Sequence, residues 1–197
     1  MARRKRKETN KGAIWMGVFV IVIMIASTLA FVFNDTQGSG SPKYNGYDIR
    51  VNSQNNRFIL ELEDTVHSFY YHPTELELYE YDSSITQLLL SSPVLTISFD
   101  PTVEPELLAY QDLFRLELAQ SIPKPFVSGI TMESDDYDIP VLNCGNSTIQ
   151  QPIIVLNNSL QTGIVKDGTC VIVNARGLKL LRMKDLLTYR LLGVMDG

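Results

Sequence analysis

The chain has 197 residues, 45% of them hydrophobic, and a formal charge of −5. The charge is uneven: residues 1–12 carry six bases against one acid, residues 176–197 five against two, and the stretch between them six against 19, a net −13. Such a body repels nucleic-acid phosphate and anionic lipid heads, which excludes both as its partners.

The basic residues 1–12 adjoin a long apolar run, and there they read as a topology signal rather than a nucleic-acid site. Ala13 to Phe33 holds no charged residue, and Ser27 and Thr28 are its only hydroxyl side chains. At about 1.5 Å per residue the run extends ~31 Å, the thickness of a hydrocarbon core. It is apolar around its whole circumference, which predicts a transmembrane helix and not an interfacial one. The basic bias puts the N-terminus in the cytoplasm and everything after residue 33 outside. The bilayer is therefore an expected partner through residues 13–33. Two processing alternatives stand beside this anchor. Thr28-Leu29-Ala30 offers a signal-peptidase site that would free a chain starting at Phe31. Lys11-Gly12-Ala13 before the apolar helix resembles the class III signal of archaeal pilins, which implies cutting after Gly12 and assembly through the helix.

Residues 34–43 form a polar, flexible linker, and residues 44–197 one extracytoplasmic domain. Tyr47–Val51 and Phe58–Glu63 alternate at period two around the turn residues Asn52–Asn56, a hairpin pattern. Ser68–His72 and Glu75–Tyr79 read as further short strands. Asp82 or Ser83 caps a short helix over Ile85–Leu90, and Val94–Phe99 is a β-branched and aromatic central strand. Pro105–Ser121 is a helix with Pro105 and Glu106 in its first turn and a stripe of Leu107, Tyr110, Phe114 and Leu118. Strands are expected at Ile139–Asn143, Ile153–Asn157 and Thr169–Val173. A last helix covers Leu178–Leu192, with Leu180, Met183, Leu187, Leu191 and Val194 inward and Lys179, Arg182, Lys184 and Arg190 on the remaining faces. The order of elements predicts an α/β domain with a mixed sheet, bordering on α+β.

Cys144 and Cys170 are the only cysteines. On the oxidising side of a membrane they form a disulfide or stay as two buried thiols; without a Cys-x-x-Cys they give no redox motif. His67 and His72, five apart, do not share a strand or helix face, so they make no local zinc pair. Glu133 to Asp138 lacks the spacing and glycine of a calcium loop and reads as a solvated acidic loop. No metal or cofactor is expected. Phe69, Tyr70, Tyr71, Tyr79 and Tyr81 are either core residues or the lining of a sugar- or peptide-binding face. Asn146 and Asn157 begin Asn-x-Ser/Thr acceptors for glycosylation.

Several landmarks carry a family resemblance: Pro140-Val141-Leu142-Asn143-Cys144, Pro152-Ile153-Ile154-Val155, Gly168-Thr169-Cys170-Val171-Ile172, and the closing Asp185 to Met195. In these the chain resembles uncharacterised archaeal single-span membrane proteins. The resemblance implies the anchored layout and a Cys144–Cys170 pairing, and it transfers no catalytic residue.

With no catalytic motif in view, the first functional reading is a binding or accessory module that contacts another membrane or cell-surface protein. The second is an extracytoplasmic hydrolase or transferase built from dispersed carboxylates such as Asp100, Asp112 and Asp135–Asp138. The third is a pilin-like surface subunit processed after Gly12.

Overall fold

Apolar side chains alternating along three short segments build the first layer. In the computed structural model, which describes residues 15–25, Ser27 and 43–195, β1 (Ile49–Asn52), β2 (Arg57–Leu62) and β3 (Thr65–Phe69) pair antiparallel in that order. Ile49 lies opposite Leu60, and Leu60 opposite His67, so one cross-strand row faces inward and is buried. The expected strand at Ser68–His72 thus sits three residues earlier. Glu75–Tyr79 is not a strand. His72 caps a one-turn helix, α2 (Pro73–Leu76), in a capping box with Glu75, and Pro73 suits its first position.

The second layer is a five-stranded sheet of β4 (Leu95–Phe99), β5 (Phe126–Ile130), β6 (Ile153–Asn158), β7 (Gly163–Asp167) and β8 (Cys170–Ala175), in the order β5-β4-β6-β8-β7. Four strands run parallel, and β7 alone is antiparallel, against β8. All five residues of β4 are buried, as a central parallel strand requires. The mixed α/β class holds, but the domain has two sheets where one was expected.

Three further helices complete it: α3 (Ser83–Ser91), capped by Asp82, α4 (Pro105–Ser121) and α5 (Leu178–Leu191). Helix α5 packs against α2, α3, α4 and β8. Its expected stripe is buried, and so are Leu181, Lys184, Asp185, Leu186, Thr188 and Tyr189. Lys184 therefore belongs to the interior and not to a solvated basic face. The Phe69 and Tyr189 rings stack with centroids 3.8 Å apart, joining the first sheet to α5. Each such buried side chain contributes roughly 1.5–3 kcal/mol through removal from water.

The expected strand Ile139–Asn143 reduces to a single bridge between Val141 and Ile130. Cys144 and Cys170 are bonded, with Cα atoms 5.2 Å apart. The bond ties the short 3₁₀ turn Cys144–Asn146 to the start of β8. Ser147 Oγ reinforces it, donating to Thr169 O at 2.7 Å and accepting from Ile153 N at 3.1 Å.

Residues Met1–Gly40 and Ser41–Gly197 separate into two units. In the first, residues 15–25 are helical (α1) with exposed apolar side chains. Among the described residues no helix is long and apolar enough to cross a membrane. The expected span, 13–33, extends beyond the described residues, as do the basic segment 1–12 and both processing sites.

Candidate binding site at the open sheet edge

The dispersed carboxylates named from the sequence are each locally engaged or solvated. Asp100 accepts from the Thr102 amide and hydroxyl at 2.8 and 2.7 Å, and Asp112 pairs with Arg115 at 2.8 Å. Asp135, Asp136 and Asp138 are exposed. Among the described residues no group of three or more His, Cys, Asp or Glu side chains converges to hold a metal ion.

The carboxylates that do converge are Glu117 and Asp185, which the sequence reading did not single out. Both bind Lys184 Nζ, at 2.8 Å and 2.5 Å. Asp185 also accepts the Tyr70 and Tyr71 amides at 2.7 and 2.9 Å. Glu117 accepts Arg57 at 3.0 Å and the Tyr70 hydroxyl at 2.9 Å. Two acids and two bases thus join β2, the chain after β3, α4 and α5. Burial pushes the Glu117 carboxyl up, but hydrogen bonds and charge from Lys184, then Arg57 and Tyr70, hold it below its ordinary value. Lys184 and Asp185 are sealed from solvent. This network has its partners inside the fold, and its chemistry is structural.

His67 is also buried, and burial lowers its pKa, which keeps the imidazole neutral near pH 7. It lies between a recess of about 160 Å³ with Arg57 and Glu117 and a larger groove of about 710 Å³ that reaches Leu90, Lys124 and Leu192. Lys124 Nζ is occupied there by the Leu89, Leu90 and Ser92 carbonyls, closing the C-terminus of α3. Both recesses lie between β3 and the end of α4, at Gln120 and Ser121.

A different situation holds along β7. The strand is the outermost of its sheet, and across a trough of about 710 Å³ it faces Leu78–Asp82. No backbone hydrogen bond joins the two segments among the described residues. Tyr79 and Tyr81 line the trough and are held in place. Tyr79 Oη accepts from Arg182 at 3.2 Å, and Tyr81 Oη lies 2.9 Å from Thr86 Oγ1 with the Arg190 guanidinium 5.1 Å from its ring centre. Burial above all pushes the Tyr81 phenol up to about 12. Leu78 and Val165 are exposed there, at 71% and 48%. Thr162 Oγ1, shielded from solvent at one end, has no hydrogen-bond partner among the described residues.

The aromatic cluster seen in the sequence therefore divides. Phe69 is core, Tyr70 sits under Arg57 at 3.5 Å, Tyr71 under Arg182 at 4.4 Å, and Tyr79 and Tyr81 face the trough. Strand β7 itself went unrecognised. Its signal was Gly168-Thr169 between two apolar runs: Asp167 pairs with Cys170 across this two-residue loop, and Gly168 takes φ +59°, as the first position of a type II′ hairpin turn demands.

Both glycosylation acceptors are exposed. Asn157 Nδ2, the atom that would be modified, donates to Asn174 Oδ1 at 2.6 Å. Asn146 uses Oδ1 to cap its turn, accepting from Asn143 N.

Comparison with protein-family models, curated proteins and solved structures finds no match for this chain.

Proposed function

We propose that the chain is a single-pass membrane protein whose outer domain is a binding or accessory module, with the β7 trough as its contact surface. The single observation that carries this reading is the trough: a strand edge left without a partner, opposite two tyrosines already fixed in position. Recesses with a few preplaced polar groups and aromatic walls are where recognition concentrates. The bilayer anchor rests on the sequence of residues 13–33, with the N-terminus cytoplasmic and the domain outside. The disulfide suits that oxidising side, and the layout is the one that the archaeal single-span proteins suggest. Of the two glycosylation acceptors, Asn146 is the better, since its Nδ2 is not committed to a neighbouring strand.

The hydrolase or transferase reading gains nothing from Asp100, Asp112 or Asp135–Asp138, none of which lines the trough or the His67 groove. The test is photo-cross-linking in native membranes from positions Leu78 and Val165, with protease added outside. A single protein species should be captured at both positions, and protease should digest the domain of intact cells. Capture of nothing at either position, or a domain protected from outside protease, overturns the proposal.

A further inference from the structure

We propose that β7 binds an extended strand of a partner protein, paired through the backbone along Gly163–Asp167 and carrying basic side chains toward Glu80 and Asp82. This rests on the reading of the domain as a binding module and adds the mode of binding and the chemistry of the partner.

Three observations lead to it. The first is the contrast with β5, the opposite edge of the same sheet, which the fold covers: residues 140–142 meet it, with Ile130 N donating to Pro140 O at 3.0 Å and Leu142 N to Ile130 O at 2.8 Å. A sheet edge with unpaired amides and carbonyls is a template for another strand unless it is covered, bulged or charged. Along β7 the one charged side chain toward the opposite wall is Lys166, whose Nζ reaches the start of α3 and donates to Ser84 Oγ at 2.9 Å.

The second observation is what walls the trough: residues 162–166 along one side and Leu78–Asp82, with Tyr79 and Tyr81, along the other. Backbone pairing to β7 would supply affinity, and side chains alternating toward Tyr79, Tyr81 and Val165 would supply selectivity.

The third is charge. Glu80 and Asp82 stand exposed on the wall opposite β7, in a stretch of chain with a net charge of −13. Lys166 already sets its charge against Asp82, so the attraction of this wall for a basic strand rests chiefly on Glu80. An incoming strand with lysine or arginine on its outward side is favoured by this wall, and an acidic strand is repelled.

The probe is an acetylated, amidated nonapeptide of alternating valine and lysine, added to the full-length protein in nanodiscs. Two N-methylated forms, blocking alternate amides in one frame or the other, and a valine–glutamate version complete the set. Amide exchange at residues 163–167 should slow about tenfold when the lysine peptide is in excess. One N-methyl frame should abolish this and the other leave it intact, since alternate amides of an added strand face away from β7. The glutamate peptide should bind at least about tenfold more weakly at low salt. No slowing at millimolar lysine peptide, equal behaviour of the two N-methyl frames, or equal binding of the glutamate peptide overturns the proposal. If the cross-linking experiment captures a partner while the peptide leaves residues 163–167 unprotected, strand addition falls and the binding-module reading stands.

Discussion

β5 and β7 bound the same sheet, each five residues long, yet their outer sides differ in kind. Along β5, the chain returns at Val141 and closes over Ile130. Leu142 presses so closely on Gly129 that an added Cβ there would meet its Cβ and Cδ1 at 2.9 Å. Cys144, two residues on, is fixed to β8, so this cover cannot drift away. Along β7 no backbone hydrogen bond joins a returning segment among the described residues, and Leu78–Asp82 stand opposite across the trough. The difference teaches that the fold does have means of closing an edge. The open edge beside fixed aromatic side chains is the one that the proposed strand addition would use.

On that comparison, stability resides in the interior and in the covered edge, and the outward side of β7 is nearly free of it. The largest effect should come from Lys184→Met. It leaves Glu117 and Asp185 facing each other in the interior without their shared cation, and breaking one member out of a buried ionic network costs about 3–5 kcal/mol. Denaturant unfolding of the full-length protein in detergent measures it, and a loss below ~1 kcal/mol would show the network to be solvated. Next comes removal of the disulfide by Cys144→Ser with Cys170→Ser. The bond spans a separation of 26 residues, which in the chain-entropy model stabilises by about 3.5 kcal/mol. Amide exchange at Ile130 and Leu142 should rise in the same variant, because the cover of β5 loses its tether. Exchange rising at β7 instead would reverse the assignment of covered and open edges. Smaller still, Gly129→Ala should cost about 1–3 kcal/mol by forcing Leu142 outward. A neutral result would mean that residues 140–142 do not press on β5.

The sequence foretold the elements that carry long periodic patterns and missed those decided by contacts across the chain. Helix α4 was legible to its ends because Pro105 and Pro123 bracket seventeen residues of helical spacing. The central strand β4 was legible from an unbroken β-branched run, and the cysteine pair was one of two readings that the expected extracytoplasmic placement allowed. Strand β5 escaped because Gly129 interrupts it, and the reason for that glycine, Leu142, lies in a different loop. The one turn of α2 escaped because histidine is an unusual cap and the alternation of Glu and Leu over residues 75–78 imitates a strand. Burial of Lys184 and Asp185 within α5 was invisible for a related reason. Their partners Glu117, Arg57 and the Tyr70 and Tyr71 amides are far apart in sequence, and only folding brings enough donors and acceptors together to offset the desolvation of four charges. Of the candidate site, the aromatic half, Tyr79 and Tyr81, was in view only as core or binding face, and the open edge opposite it required knowing where β7 stands in the sheet.

The smallest effect is the most direct probe of the open edge. Val165 is 48% exposed while its neighbour Ile164 is 4% exposed, so successive side chains of β7 fall on opposite faces, one buried and one exposed, though both residues border the trough. Lysine is well suited to an edge strand, since it keeps its charge in water and discourages pairing with a second strand. Val165→Lys should therefore change the unfolding free energy of the full-length protein by no more than about 0.5 kcal/mol, a Tm shift below ~2 °C. Ile164→Ala, one residue away, should cost about 2–5 kcal/mol by emptying a core position. The pair separates two pictures of β7. If the trough were closed over by a part of the chain packed on Val165, both substitutions would destabilise, and the lysine would be the worse for bringing a charge into a dry contact. If the edge is open, only the inward residue matters to the fold, and the outward one is left for whatever the trough receives.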